Sequence, residues 1–196
     1  MSSNNGLIDS ITVRQIFIER YSKGEAERLL KYLKRLSAEL KKTINNDYGR
    51  VRAVRLAQQI TKISNVLLAE YGDDMIIGLR DFSKVEAEFA REALLANTAA
   101  TAVSAASLRQ IQSAITKVPM RLITGKKIKT LTIDQAIKSL AKKRSKDIGQ
   151  IIRDGAVTGK TSQELVKQVT EIIGGKLKNQ AETIVRTSTN HMGNIA

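Results

Sequence analysis

A chain of 196 residues has room for one or two domains and a hydrophobic core. Its formal net charge is +14 and it has no cysteine, so disulfides and thiolate metal sites are excluded. No run of about 18 apolar residues is present to cross a membrane, and MSSNNGLIDS lacks the basic start and apolar stretch of a signal peptide.

A single proline, Pro119, and few alternating β-branched runs point to an all-α protein. The expected architecture is elongated: an N-terminal helical hairpin, a long helix, and a small C-terminal three-helix unit. Residues Leu7–Tyr21 admit two readings. ITVRQIFI has the β-branched content of a strand, but Ile8, Ile11, Gln15 and Ile18 share one helical face, and a helix is the expectation. Ser22 with Glu25 forms a capping-box pattern. Leu29, Leu33, Leu36 and Leu40 follow at i, i+4, i+7 and i+11, predicting a helix over 22–45. NNDYG at 45–49 is a turn signal. Leu56, Ile60, Ile63 and Leu67 repeat the spacing, and Gly72 stands where a C-cap glycine would end the second arm of the hairpin.

Asp81 or Ser83 can cap the next helix, with Phe82, Val85, Phe89 and Ala93 as its buried face. The small residues of 93–106 permit close helix approach, either as an ordinary crossing inside the monomer or as a self-association seam. Carried to Val118, this helix holds about 36 residues and measures roughly 54 Å. Pro119 ends it. Residues 119–131 read as a basic, glycine-containing connector between an N-terminal domain, 1–118, and a C-terminal one, 132–196. Thr132 with Gln135 is another capping box. Ile133, Ala136, Ile137, Leu140, Ile148, Ile151 and Ile152 form the stripe of a helix to about Asp154. Gly155 and Gly159 read as its C-cap and turn. Thr161 with Glu164 caps a helix ending at Gly174–Gly175, and a last helix from about Lys176 uses Leu177, Ala181, Ile184 and Val185.

Charge is distributed unevenly along the chain. Residues 1–100 hold 16 basic and 13 acidic side chains, and residues 101–196 hold 17 and 6. Lys117–Lys146 holds ten basic residues against one acid, Asp134. A field of that sign draws in polyanions, of which nucleic acid is the commonest. The competing readings are a solvated basic face and a docking surface for an acidic protein. The candidate contacts are Lys126, Lys127, Lys129, Lys138, Lys142, Lys143, Arg144 and Lys146. Lys138, Lys142, Lys146 and Arg153 fall on one flank of a helix. The segment has no aromatic residue on which bases could stack, so phosphates are the expected target.

Other chemistry lacks its parts. GAVTGKT at 155–161 resembles a P-loop, but Asp154 occupies the position of the first required glycine, and the preceding segment has helical spacing. His191 is the one histidine, with no second ligand at metal-binding spacing. Ser188 lies three residues from it without an orienting acid, and no GxSxG elbow occurs. The expectation is a protein without enzymatic activity, metal or cofactor.

The order of the last third and the ending QAETIVRTSTNHMGNIA resemble the phage head-morphogenesis family, the minor head proteins related to the F protein of phage Mu. There a helix ends in a glycine turn, a second helix follows, and a third carries AExIARTExxxAxN. The matching residues are Gly159, Ser162 and Leu165, then Ala181, Glu182, Ile184, Arg186, Thr187 and Asn194. The resemblance spans roughly 50 residues. Ser188 departs from it, standing where the family has glutamate. It implies a virion protein inside the capsid, present in the host cytoplasm during assembly. Its implied partners are the portal, other head proteins and genomic DNA, and homo-oligomerisation is possible. The roles implied are head assembly and DNA packaging or ejection. Arg186 is expected to cap or pair within the helical bundle. The rival reading is a helical assembly module that binds acidic protein surfaces without touching DNA. The last helix carries no stop signal, as expected of a chain cut or continuing at Ala196.

Overall fold

The computed structural model describes residues 3–97, 104–124 and 127–195. Helices account for almost all of them: α1 (Ser3–Asp47), α2 (Ala53–Asn97), α3 (Leu108–Lys117), α4 (Ile133–Val157), α5 (Ser162–Ile172) and α6 (Lys178–Ile195). The exception is a two-stranded hairpin, β1 (Met120–Thr124) and β2 (Lys127–Leu131). The all-α class therefore holds.

The chain forms two compact units that do not follow the 1–118, 119–131 and 132–196 division. One contains residues 1–26, 74–134 and 184–196, the other 27–73 and 135–183.

In the first unit, Ile18, Met75, Leu79, Phe82, Ile115, Met120 and Val185 are buried. Phe17 stacks on Phe82 with ring centroids 5.4 Å apart, and Tyr21 meets the same ring at 4.5 Å. Arg14 bridges the carboxylate of Glu86, whose side chain is wholly buried, and the carbonyl of Gly193. These contacts bind α1, α2 and α6 together.

The N-terminal segment is helical as expected, but of its proposed face only Ile18 is buried; Ile8 and Ile11 are exposed. Val85 is exposed too, because the buried stripe of α2 runs through Leu79, Phe82, Glu86 and Ala87. Of the small-residue stretch 93–106, residues 98–103 lie outside the described residues. The helix expected to continue to Val118 does not. A separate helix, α3, starts after Ser107, whose hydroxyl accepts from the Gln110 N–H while the Gln110 side chain accepts from the Ser107 N–H. Val118, preceding Pro119, is extended, as a residue before proline tends to be.

The expected connector is the hairpin. Met120 pairs with Leu131 and Thr124 with Lys127 in antiparallel register. Met120 and Leu122 point inward while Arg121 and Ile123 are exposed, a period of two that the basic composition obscured.

In the second unit, Leu29, Leu33, Leu36, Leu40 and Ile44 of α1 are buried, as are Leu56, Ile60, Leu67, Ile148, Ile152 and Leu165. The α1–α2 hairpin closes through Gly49, at φ 82°. Arg35 Nη1 donates to Glu70 at 2.9 Å, and the Tyr32 and Tyr71 rings lie 5.5 Å apart, which fixes the antiparallel pairing.

None of the three boundaries expected within α1 and α2 is present: both helices run on through Ser22, Gly72, and Asp81 and Ser83, and the Ser83 hydroxyl donates back to the Leu79 carbonyl inside α2. α1 runs through Ser22 because Ile18, Glu25 and Leu29 extend one buried stripe across it. α2 runs through Gly72, where an added Cβ would lie 2.5 Å from Ile137 Cγ2. That glycine serves close packing with α4 and ends nothing.

α4 ends in a Schellman turn. Gly159 takes φ 69°, and the Lys160 N–H reaches back to the Gly155 carbonyl at 2.9 Å. Gly155 itself is inside the helix against Leu165, so Gly159 alone plays the role expected of the pair. The Tyr48 hydroxyl donates to the Lys160 carbonyl at 2.6 Å and ties this turn to the end of α1.

The break expected at Gly174–Gly175 is a π-turn, Ile173–Leu177, running straight into α6. The wider turn keeps both Ile173 and Leu177 buried.

Candidate nucleic-acid interface

α4 begins directly after Thr132 and is held down by Ile133, Ala136, Ile137, Ile148 and Ile152, all buried. With that stripe facing inward, the 3.6-residue period turns Lys138, Lys142 and Lys146 outward on one flank, two turns of helix from end to end. Lys143 is exposed beside them. Cations at i, i+4 and i+8 repel one another by a few tenths of a kcal/mol per pair in an isolated helix. The apolar stripe holds the helix despite this, and the flank presents a row of positive charge.

Arg144 does not belong with that row. The residue is only 6% exposed, and its guanidinium donates from Nη1 to Asp147 Oδ2 at 2.7 Å and from Nε to Gln180 Oε1 at 3.1 Å. The side chain joins α4 to α6 within the second unit, and its charge is already matched. It drops out of the phosphate-contact set, for the physical reason that it lies on the buried side of the KKRSK run.

Lys127 and Lys129 are exposed on β2, in the first unit. Lys126 lies outside the described residues. Of the nine described basic residues in 117–146, eight are exposed and Arg144 is buried. Lys62, on α2, was invisible as a candidate. It lines the same groove as Lys146 and Arg153, yet 84 positions of sequence separate Lys62 from Lys146. Only the packing of α2 on α4 shows it.

The residues of the head-protein resemblance have mixed settings. Thr161, not Ser162, caps α5: its hydroxyl accepts from the Glu164 N–H at 3.3 Å, and its N–H donates to Glu164 Oε2 at 2.7 Å. The hydrogen bonds from Thr161 hold the Glu164 carboxyl below its usual range. Ser162 is the first helical residue.

Leu165 is fully buried. Arg186 is exposed and lines a groove with Gln15, Glu19 and Asn190. Thr187 is half-buried and Asn194 exposed. Ser188 is fully buried with its hydroxyl 3.6 Å from Met120 Sδ. A glutamate there would face a thioether that cannot donate to it.

His191 is half-buried on α6, and burial pushes its imidazole below the usual histidine range; a hydrogen bond with the Val118 backbone opposes this in part. No cluster of three or more His, Asp or Glu side chains able to hold a metal is present among the described residues. No described helix is long and apolar enough to cross a membrane. GAVTGKT is the end of a helix and its Schellman turn, without the preceding strand that a phosphate-cradling loop requires. Compared with protein-family models, curated proteins and solved structures, the chain matches none.

Proposed function

We propose that this chain is a minor head protein of a phage. In this reading it sits inside the capsid near the portal and acts in head assembly and in DNA packaging or ejection. It works stoichiometrically, by binding portal and DNA, and turns nothing over. The observation that carries the DNA part is the exposed lysine row of α4, Lys138, Lys142 and Lys146 with Lys143 beside it, in a segment that has no aromatic residue. Such a row suits phosphates and reads no bases. The capsid location rests on the order of the last three helices and on the ending from Ala181 to Asn194.

Replacing Lys138, Lys142, Lys143 and Lys146 with glutamate tests the reading. The expected result is loss of duplex retention at low salt with head assembly intact. Unchanged retention contradicts the assignment of DNA contact to α4.

The second reading is an assembly module that meets protein surfaces only. Ile8, Ile11, Val13 and Ile16 favour it, being 43–59% exposed near the start of α1. Under that reading the charge reversal abolishes assembly, and no duplex binding is seen even with the unaltered protein.

A further inference from the structure

In the second unit α2 and α4 approach closely at Gly149. A Cβ added there would lie 2.5 Å from Thr61 Oγ1 and 3.4 Å from the Ala57 carbonyl, so only glycine permits this spacing. Beside the contact runs a groove of about 440 Å³ lined by seven residues, none of them acidic. Lys62 comes from α2; Lys146 and Arg153 come from α4. Gln58 and Asn65 add an amide about one turn to either side of Lys62. Lys146 and Arg153 are two helical turns apart, about 10 Å along the axis.

Arg153 is fixed in advance. Its Nε and Nη2 donate to Gln150 Oε1 at 3.1 and 2.6 Å, and Gln150 in turn donates to Asp154 Oδ1 at 2.6 Å. Its Nη1 lies 3.9 Å from where a Gly149 Cβ would stand. Three cationic residues from two helices thus line one groove with no carboxylate among its lining residues. A polyanion lying along the groove would meet positive charge from both helices and no opposing carboxylate on that lining.

We infer that this groove takes the phosphodiester backbone of nucleic acid, with Lys62, Lys146 and Arg153 on neighbouring phosphates and Gln58 and Asn65 donating to phosphate oxygens. The assignment rests on the DNA-binding reading above and adds α2 to it. A basic C-terminal half alone gives Lys62 no role; the groove makes it a contact.

The test is a salt titration of duplex binding by the full chain, comparing Lys62→Gln with Lys167→Gln. Both lysines are exposed and on helices of the same unit, but Lys167 is away from the groove lining. One phosphate contact contributes about 0.9 to the log–log salt slope, equivalent to roughly 8-fold in affinity at about 0.1 M salt. Lys62→Gln should therefore flatten the slope by about 1 and weaken binding about 8-fold, equally for unrelated duplex sequences, while Lys167→Gln stays at wild-type values.

If the two variants behave alike while the unaltered protein binds, the groove assignment is overturned and the role of the α4 row survives. If the unaltered protein fails to bind duplex at low salt, both fall. A parallel titration with inorganic tripolyphosphate separates the source of the phosphate. Weakening of that ligand alone by Lys62→Gln assigns the groove to a small anion and overturns the backbone assignment.

Discussion

Gly155 offers a sharp test of how α4 and α5 pack. By helix propensity alone, Gly→Ala inside α4 stabilises by about 0.5–1 kcal/mol. Packing opposes it. The new Cβ would stand 2.2 Å from Leu165 Cδ2 and 3.2 Å from Leu165 Cγ. Leu165 has no exposed surface, so its end cannot swing into solvent. Forcing a methyl into such a core costs about 1–3 kcal/mol. Packing outweighs propensity, and Gly155→Ala should destabilise by about 0.5–2 kcal/mol.

Gly24 is also within a helix, but nothing lies within 4 Å of where its added Cβ would stand. Gly24→Ala should show the opposite sign, a gain of about 0.5–1 kcal/mol. The decisive measurement is the double variant. Leu165→Ala alone removes a buried leucine and costs about 2–5 kcal/mol. In the background of Leu165→Ala the methyl added by Gly155→Ala enters the void, so the clash vanishes and the propensity gain returns. The double variant should therefore be more stable than the sum of the singles by about 1–3 kcal/mol. Urea unfolding followed by circular dichroism reads this, with an unchanged m-value as the control. Additive effects, or a stabilising Gly155→Ala, would refute the packing argument.

Other substitutions separate structural charges from binding ones. Arg144→Ala should cost about 2 kcal/mol of stability in urea unfolding, through loss of its bonds to Asp147 and Gln180, and leave the salt slope of duplex binding unchanged. Arg14→Ala strands the buried Glu86 carboxylate and should cost about 3–5 kcal/mol by the same assay. Thr161→Ala removes the α5 cap and should cost about 1 kcal/mol. For His191, the folded imidazole titrates below the unfolded one. Its contribution to stability is then complete above the unfolded value, about 6.5, and is lost progressively as pH falls below it toward the folded value. Thermal unfolding between pH 7.5 and 5 should show a decline that His191→Asn flattens.

Helix identity was legible from apolar spacing alone: Leu29, Leu33, Leu36 and Leu40 of α1, the Leu56–Leu67 run and the isoleucines of α4 are all buried where their period places them, apart from half-buried Ile63 and Ile151. Boundaries were not. Ser22 and Gly72 carry the residue types of helix ends, but each is overridden by tertiary packing, a continuous stripe in one case and Ile137 in the other. Ser107 with Gln110 was a readable cap hidden by the helix-favouring alanines before it. The hairpin was hidden by its lysines, since only one face of each strand is apolar. At the candidate interface, exposure of the α4 lysines followed from the isoleucine stripe. The burial of Arg144 followed from its place on the other side of the same wheel, which charge counting ignores. Lys62 could be joined to Lys146 and Arg153 only through the fold, because no local pattern links positions so far apart.

Phosphate contact by α4 is tested most directly by one binding curve: affinity of the full chain for a DNA duplex across about 50–300 mM salt. Four phosphate contacts on α4, from Lys138, Lys142, Lys143 and Lys146, imply a log–log slope of about −3.6 or steeper, independent of sequence. A flat line, or no binding at the lowest salt, would contradict it.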